Sequence, residues 1–122
     1  MIELRTLAQQ SWASGVTAAK TPSMPDVKGR CEQIEVKVNN NTGDKTATVT
    51  ITSAQSGQLF TAAGIAENAT TVFRANSMGG TDSDFEAFLA SGDLTFTITP
   101  SGDPSTSGMT VDVYLYMVTD RG

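Results

Sequence analysis

Histidine is absent from all 122 residues, and cysteine occurs once, at Cys31. Ser-His-Asp and Cys-His catalysis both need an imidazole to carry a proton, so these designs are excluded. A Cys/His zinc centre is excluded too, and a lone thiol cannot close an internal disulfide. No apolar run approaches the roughly 20 residues that span a bilayer as a helix, so no membrane partner is expected. The first residues, Met1–Leu7, lack a basic stretch followed by an apolar core, and intracellular synthesis is the expectation. Basic side chains are scarce: 8 Lys and Arg stand against 13 Asp and Glu, a formal net charge of -5. A nucleic-acid surface needs a concentrated basic footprint, and DNA or RNA is not an expected partner.

The acidic excess is confined to the second part of the chain. Residues 1–50 carry six basic side chains against five acidic ones, whereas residues 51–122 carry two against eight. This is either a solvated acidic surface or a face for a basic partner. The length fits one domain that can bury a core by packing alone.

The stretch richest in β-branched and aromatic residues is Met109–Val118. Met109, Val111, Val113, Leu115 and Met117 form one apolar face. The other begins with Thr110 and Asp112 and turns apolar at Tyr114, Tyr116 and Val118, which predicts a central position in a sheet, or contact with another subunit, for the second half. Upstream, Asp93–Thr99 alternates as well, and the Pro-, Gly- and Ser-rich segment between them predicts a C-terminal hairpin. Glu32–Val38 and Thr46–Thr52 alternate on either side of the Asn-rich stretch 39–44 and predict a second hairpin. Further strands are expected near Leu59–Thr61 and over Thr70–Ala75. A short helix is expected within Thr81–Gly92, where Ser83 and Glu86 resemble a capping box, Phe85, Phe88 and Leu89 share a face, and Gly92 suits the stop.

Residues 1–30 read as an N-terminal arm, interrupted by Gly15, Pro22 and Pro25, in which Ile2, Leu4 and Leu7 outline a short strand. Its only large aromatic, Trp12, anchors the arm either to its own domain or to a neighbouring subunit. Residues 31–122 read as a single β domain. The expected fold is therefore mainly β, an antiparallel β-sandwich of jelly-roll type with one short helix and an extended arm; a partly closed barrel has the same sequence signature.

No constellation declares a chemistry. Asp82, Asp84, Glu86 and Asp93 lie close in sequence, but the pattern puts them at a polar helix start rather than in an apolar pocket, and they lack the spacing and central glycine of an EF-hand loop. The glycines of Met78–Gly80 lack the following Lys-Ser/Thr of a phosphate cradle, and those of Gly102–Gly108 precede a strand rather than a helix. Asn40 and Asn68 match the glycosylation pattern by chance in a Thr-rich chain without a signal peptide. Cys31 reads as a small apolar residue at a strand start. The expectation is a protein without catalytic, cofactor or metal sites.

In length, texture and order of elements, Glu32–Thr52 with its Asn-rich loop, the strand Leu94–Thr99 and the closing strand Thr110–Val118 resemble the small β-sandwich decoration, or cement, proteins of tailed bacteriophage heads. That resemblance implies a structural virion protein made in the host bacterial cytoplasm. It would bind the major capsid protein on the outer capsid surface, as a homotrimer, and strengthen the lattice by bridging capsomers. The interface candidates are then Leu4, Leu7 and Trp12 of the arm together with Tyr114 and Tyr116, since buried aromatics carry disproportionate interface energy; packing of the tyrosines within the sheet is the alternative. Competing classes are another phage head or tail structural protein and a non-catalytic carbohydrate-binding β-sandwich module.

Overall fold

The structure is a computed structural model in which residues 2–75 and 87–119 are described. These residues form eight strands and no helix: β1 (Ile2–Thr6), β2 (Gln10–Trp12), β3 (Ser23–Val38), β4 (Ala47–Ser53), β5 (Gly57–Ile65), β6 (Ala69–Arg74), β7 (Leu89–Pro100) and β8 (Met109–Val118). Every strand pairing is antiparallel. Hydrogen bonding runs through one open sheet in the order β1-β8-β3-β7-β4-β5, with β2 also on β8 and β6 also on β3.

The long β3 links two layers. Its first half ladders with β7, and its second half lies between β8 and β6. One layer thus holds β1, β2, β8, the second half of β3 and β6; the other holds the first half of β3, β7, β4 and β5. In each, one face is apolar: Met109, Val111, Val113, Leu115 and Met117 of β8, Leu94, Phe96 and Ile98 of β7, and Val49 and Ile51 of β4 are all fully buried. With no helix among the described residues to cover them, the sheet must fold over itself in a sandwich-like arrangement, which gathers these side chains into one core. Each such burial contributes about 1.5–3 kcal/mol.

Three contacts bridge the layers where no strand pairing does. Phe60 of β5 meets Phe73 of β6 edge-on, with ring centroids 5.3 Å apart. Arg5 of β1 donates to the carbonyls of Pro25 and Asp26 in β3, at 2.7 and 3.0 Å. Lys20, whose backbone bridges to Ile98 of β7, holds Nζ 5.6 Å from the Trp12 ring centroid.

Two bulges give β3 its reach. Register shifts fall between Met24 and Val27 and between Cys31 and Gln33, and Asp26 takes φ 55° at the first. Each extra residue reverses the inside-outside parity, so Met24, Val27, Cys31, Ile34, Val36 and Val38 all point into the core. Gly29 is obligatory between the bulges: its φ is +111°, and an added Cβ would lie 2.5 Å from the Val118 carbonyl oxygen.

Several expectations are met. The second half of β8 does lie centrally, between β1 and β3, and strands occupy the expected places at Ile2–Thr6, around Leu59–Thr61 and along Thr70–Arg74. Both expected hairpins are corrected. β3 does not pair with β4, nor β7 with β8; each connection crosses between layers, because both members bury their apolar faces from opposite sides of the core. The expected helix is also corrected. Its first part, residues 81–86, lies outside the described residues, and Leu89–Gly92 is strand, held against Val27–Arg30 of β3. β3 runs from Ser23 to Val38, and residues 2–12 add to the sheet as β1 and β2.

The connection from β3 to β4 is organised by Asn41, the one buried polar residue among those described. Its Oδ1 accepts from Lys45 N at 2.7 Å, its Nδ2 donates to Lys45 O at 3.0 Å, and its backbone N donates to the Glu67 carboxylate. Asn41→Ala is expected to cost about 1–3 kcal/mol in denaturant unfolding, the penalty for leaving the Lys45 groups unpaired. Burial pushes the Cys31 thiol up from 9.0 to about 12, opposed by a backbone hydrogen bond with Gln33 and reinforced by the Glu32 charge. The folded thiol stays protonated after the unfolded one ionises, so its stability contribution is complete below pH 9 and is lost as pH rises towards 12. Relative to Cys31→Ala, the wild type should lose up to about 1.4 kcal/mol per pH unit in that window, measured by paired unfolding curves.

Candidate interaction surface

The outward face of the β1–β8–β3 layer is built by register. Opposed residues in an antiparallel ladder project to the same side. Ile2 stands against Val118, Leu4 against Tyr116 and Thr6 against Tyr114; across β8, Gln33 stands against Tyr116 and Glu35 against Tyr114. At one end the row continues through Arg30, which is opposed to Val118 on one side and to Leu89 of β7 on the other. Ile2, Leu4 and Leu89 are 69%, 50% and 76% exposed, three of the four large exposed hydrophobic residues among those described. They lie in one strip that crosses four strands.

Charge and polarity edge this strip. Arg30 is paired with Glu32, and a depression of about 130 Å³ opens between Gly29, Arg30, Leu89 and Val118. Gln33 Nε2 donates to the Glu35 carboxylate at 2.7 Å. Partial desolvation raises the Tyr116 phenol above its usual 10.0, and the adjacent Glu35, through its charge and a hydrogen bond, raises it further. An apolar centre with a polar surround is the anatomy of a protein-binding surface.

The structure divides the sequence candidates. Leu4, Tyr114 and Tyr116 come together on this face, with both tyrosines partly buried by their neighbours. Leu7 and Trp12 do not join them. Leu7 is buried and donates its N–H to the Val113 carbonyl; Trp12 is 1% exposed and donates Nε1–H to the Ala18 carbonyl at 2.7 Å. Sequence reasoning missed Ile2 and Leu89 as surface residues. Val118 extends the Tyr114/Tyr116 parity and was legible on that basis, whereas Leu89 was concealed by the expected helix.

Two further features away from this face bear on ligand binding. A depression of about 310 Å³ beside Trp12 is lined mainly by small polar residues, Ser11 to Ser14 and Thr106 to Thr110. Among the described residues no group of three or more His, Cys, Asp or Glu side chains converges on a metal position. Asp82, Asp84 and Glu86 lie outside the described residues, and the Asp93 carboxylate accepts from Asp26 N at 3.0 Å, a partner for the first bulge of β3. The Asp103 carboxyl is held below its usual value by the N–H groups of Ser105 and Gly15, which tie together two loops.

No protein-family model matches the chain, and no curated protein matches it in sequence. Among solved structures, the chain is similar to one from infectious bursal disease virus Gt strain, with a TM-score of 0.44 and 9% identity over 99% of this chain and 34% of that one. The corresponding structure from the Gx strain gives a TM-score of 0.44 and 12% identity over 99% and 33%. The VP2 subviral particle of the same virus gives 0.31 and 13% over 98% and 38%. The chain spans about a third of the length of the chains it matches.

Ultraviolet titration of the phenols, with Tyr116→Phe to assign the signal, is expected to show Tyr116 ionising above pH 10.0. Glu35→Gln should lower that transition only in part, because desolvation is the larger cause.

Proposed function

We propose that this protein is a structural component of a virion, a capsid decoration protein that docks on the outer surface of the major capsid protein lattice and strengthens it by bridging capsomers. The observation that carries the reading is the strip of Ile2, Leu4, Tyr116, Val118 and Leu89, an apolar surface left outside a core that is complete without it. Such surface is disfavoured in water unless a partner covers it. The sandwich-like all-β fold and the Thr-alternating strands agree with the decoration-protein resemblance in the sequence. Synthesis in a bacterial cytoplasm and residence on the capsid surface belong to the same proposal, as does a non-enzymatic role.

A carbohydrate-binding module is the second reading, favoured by one feature: Tyr114 and Tyr116 share one face of β8, where a sugar could lie across them. Co-sedimentation with intact capsids of a phage encoding the chain separates the two. Decoration predicts saturable binding, a higher capsid melting temperature, and a loss of affinity of about tenfold to a hundredfold for Leu4→Ser combined with Tyr116→Ser. Absence of capsid binding, together with a glycan-array signal abolished by Tyr114→Ala and Tyr116→Ala, would assign the module instead.

A further inference from the structure

We propose that β1 pairs with β1 of a second copy across a two-fold axis at Leu4, making a dimer with a continuous sheet. Among the described residues β1 pairs only with β8, and its other edge is open. The β1–β8 ladder runs through five consecutive pairs without a register shift, so the edge it presents is regular. The opposite edge of the sheet, β5, differs: its ladder with β4 is shifted twice, and Gly57 and Gly64 take positive φ, irregularities that discourage pairing.

The sequence of β1, Ile-Glu-Leu-Arg-Thr, is complementary to itself when reversed. Antiparallel pairing centred on Leu4 sets Leu4 against Leu4 of the second copy, and Glu3 against its Arg5, twice. Opposed side chains in such a ladder have Cβ atoms about 4.5–5.5 Å apart, within reach of an ion pair. Neither residue has an ion-pair partner among the described residues, where the ion pairs are Lys28–Asp26 and Arg30–Glu32. Arg5 is already held by its bonds to the Pro25 and Asp26 carbonyls, so less side-chain freedom is lost on pairing.

Charges on the inner side of an edge strand commonly guard against aggregation. Here they select a register. Moving the axis to Glu3 or to Arg5 opposes like charges, and only the Leu4 axis matches both. The same axis brings the exposed Leu4 side chains together beside Tyr116 of each copy, extending the apolar strip across the dimer. A two-fold pair replaces the three-fold assembly implied by the sequence resemblance. It does not depend on capsid binding, so its test uses the isolated protein.

Sedimentation velocity from micromolar to near-millimolar concentration should show a reversible dimer of the 12.8 kDa chain. Glu3→Arg is expected to weaken it at least about tenfold by replacing two attractive pairs with repulsive ones. Arg5→Glu alone should do the same, and an equimolar mixture of the two variants should recover the dimer mass as a heterodimer. Because Arg5 also supports the fold, Leu4→Lys provides an independent variant: half exposed, it should fold normally and sediment as a monomer. A wild type that is monomeric throughout, a trimer, or a dimer unchanged by both Glu3→Arg and Leu4→Lys would overturn the proposal.

Discussion

The course of β3 is the constraint on which the remaining structure depends. A single strand laddered with β7 along its first half and with β8 and β6 along its second must serve two layers at once. A regular strand of this length would turn successive apolar side chains alternately inside and out as its neighbours changed. The two bulges restore the inward parity each time, so all of its apolar residues reach one core. Gly29 allows the close approach of Val118 between them, and the Asp93 carboxylate and the Arg5 guanidinium hold the first bulge.

From that strand follows the division of labour over the surface. β8 is flanked by β3 on one edge and by β1 and β2 on the other, so its odd-numbered residues are sealed in the core. Its even-numbered residues remain on the outside, where Tyr116 and Val118 meet Leu4 and Ile2. The arm adds its own surface to the sheet while lodging Leu7 and Trp12 inside. Ladder register thus distributes the aromatic and aliphatic residues of residues 2–12 between two roles, anchoring and presentation, according to which face of the ladder each occupies.

The loops serve the same layering. Asn41 satisfies the backbone of the connection from β3 to β4, and Asp103 draws the N–H groups of Gly15 and Ser105 together. Polar side chains therefore hold the crossings between layers, where strand ladders cannot, and apolar ones fill the space between. The outward apolar strip belongs to neither task, and for that reason it bears on function.

The residue pattern by itself determined the mainly β character, the single apolar core, and the inward and outward faces of β4, the latter half of β7, and β8, because period-two alternation is a local property of the chain. It also excluded imidazole-dependent chemistry through composition alone. Strand partners were beyond its reach: alternation in β3 and β4, or in β7 and β8, reads the same for a hairpin as for a crossing between layers. The first half of β3 stayed hidden because each bulge reverses the parity on which recognition relies. Only the tertiary structure decided that Leu7 and Trp12 lie inside while Leu4 lies beside Tyr116 outside, since that choice rests on ladder register between residues far apart in the chain, such as Leu4 with Tyr116 and Trp12 with Met109.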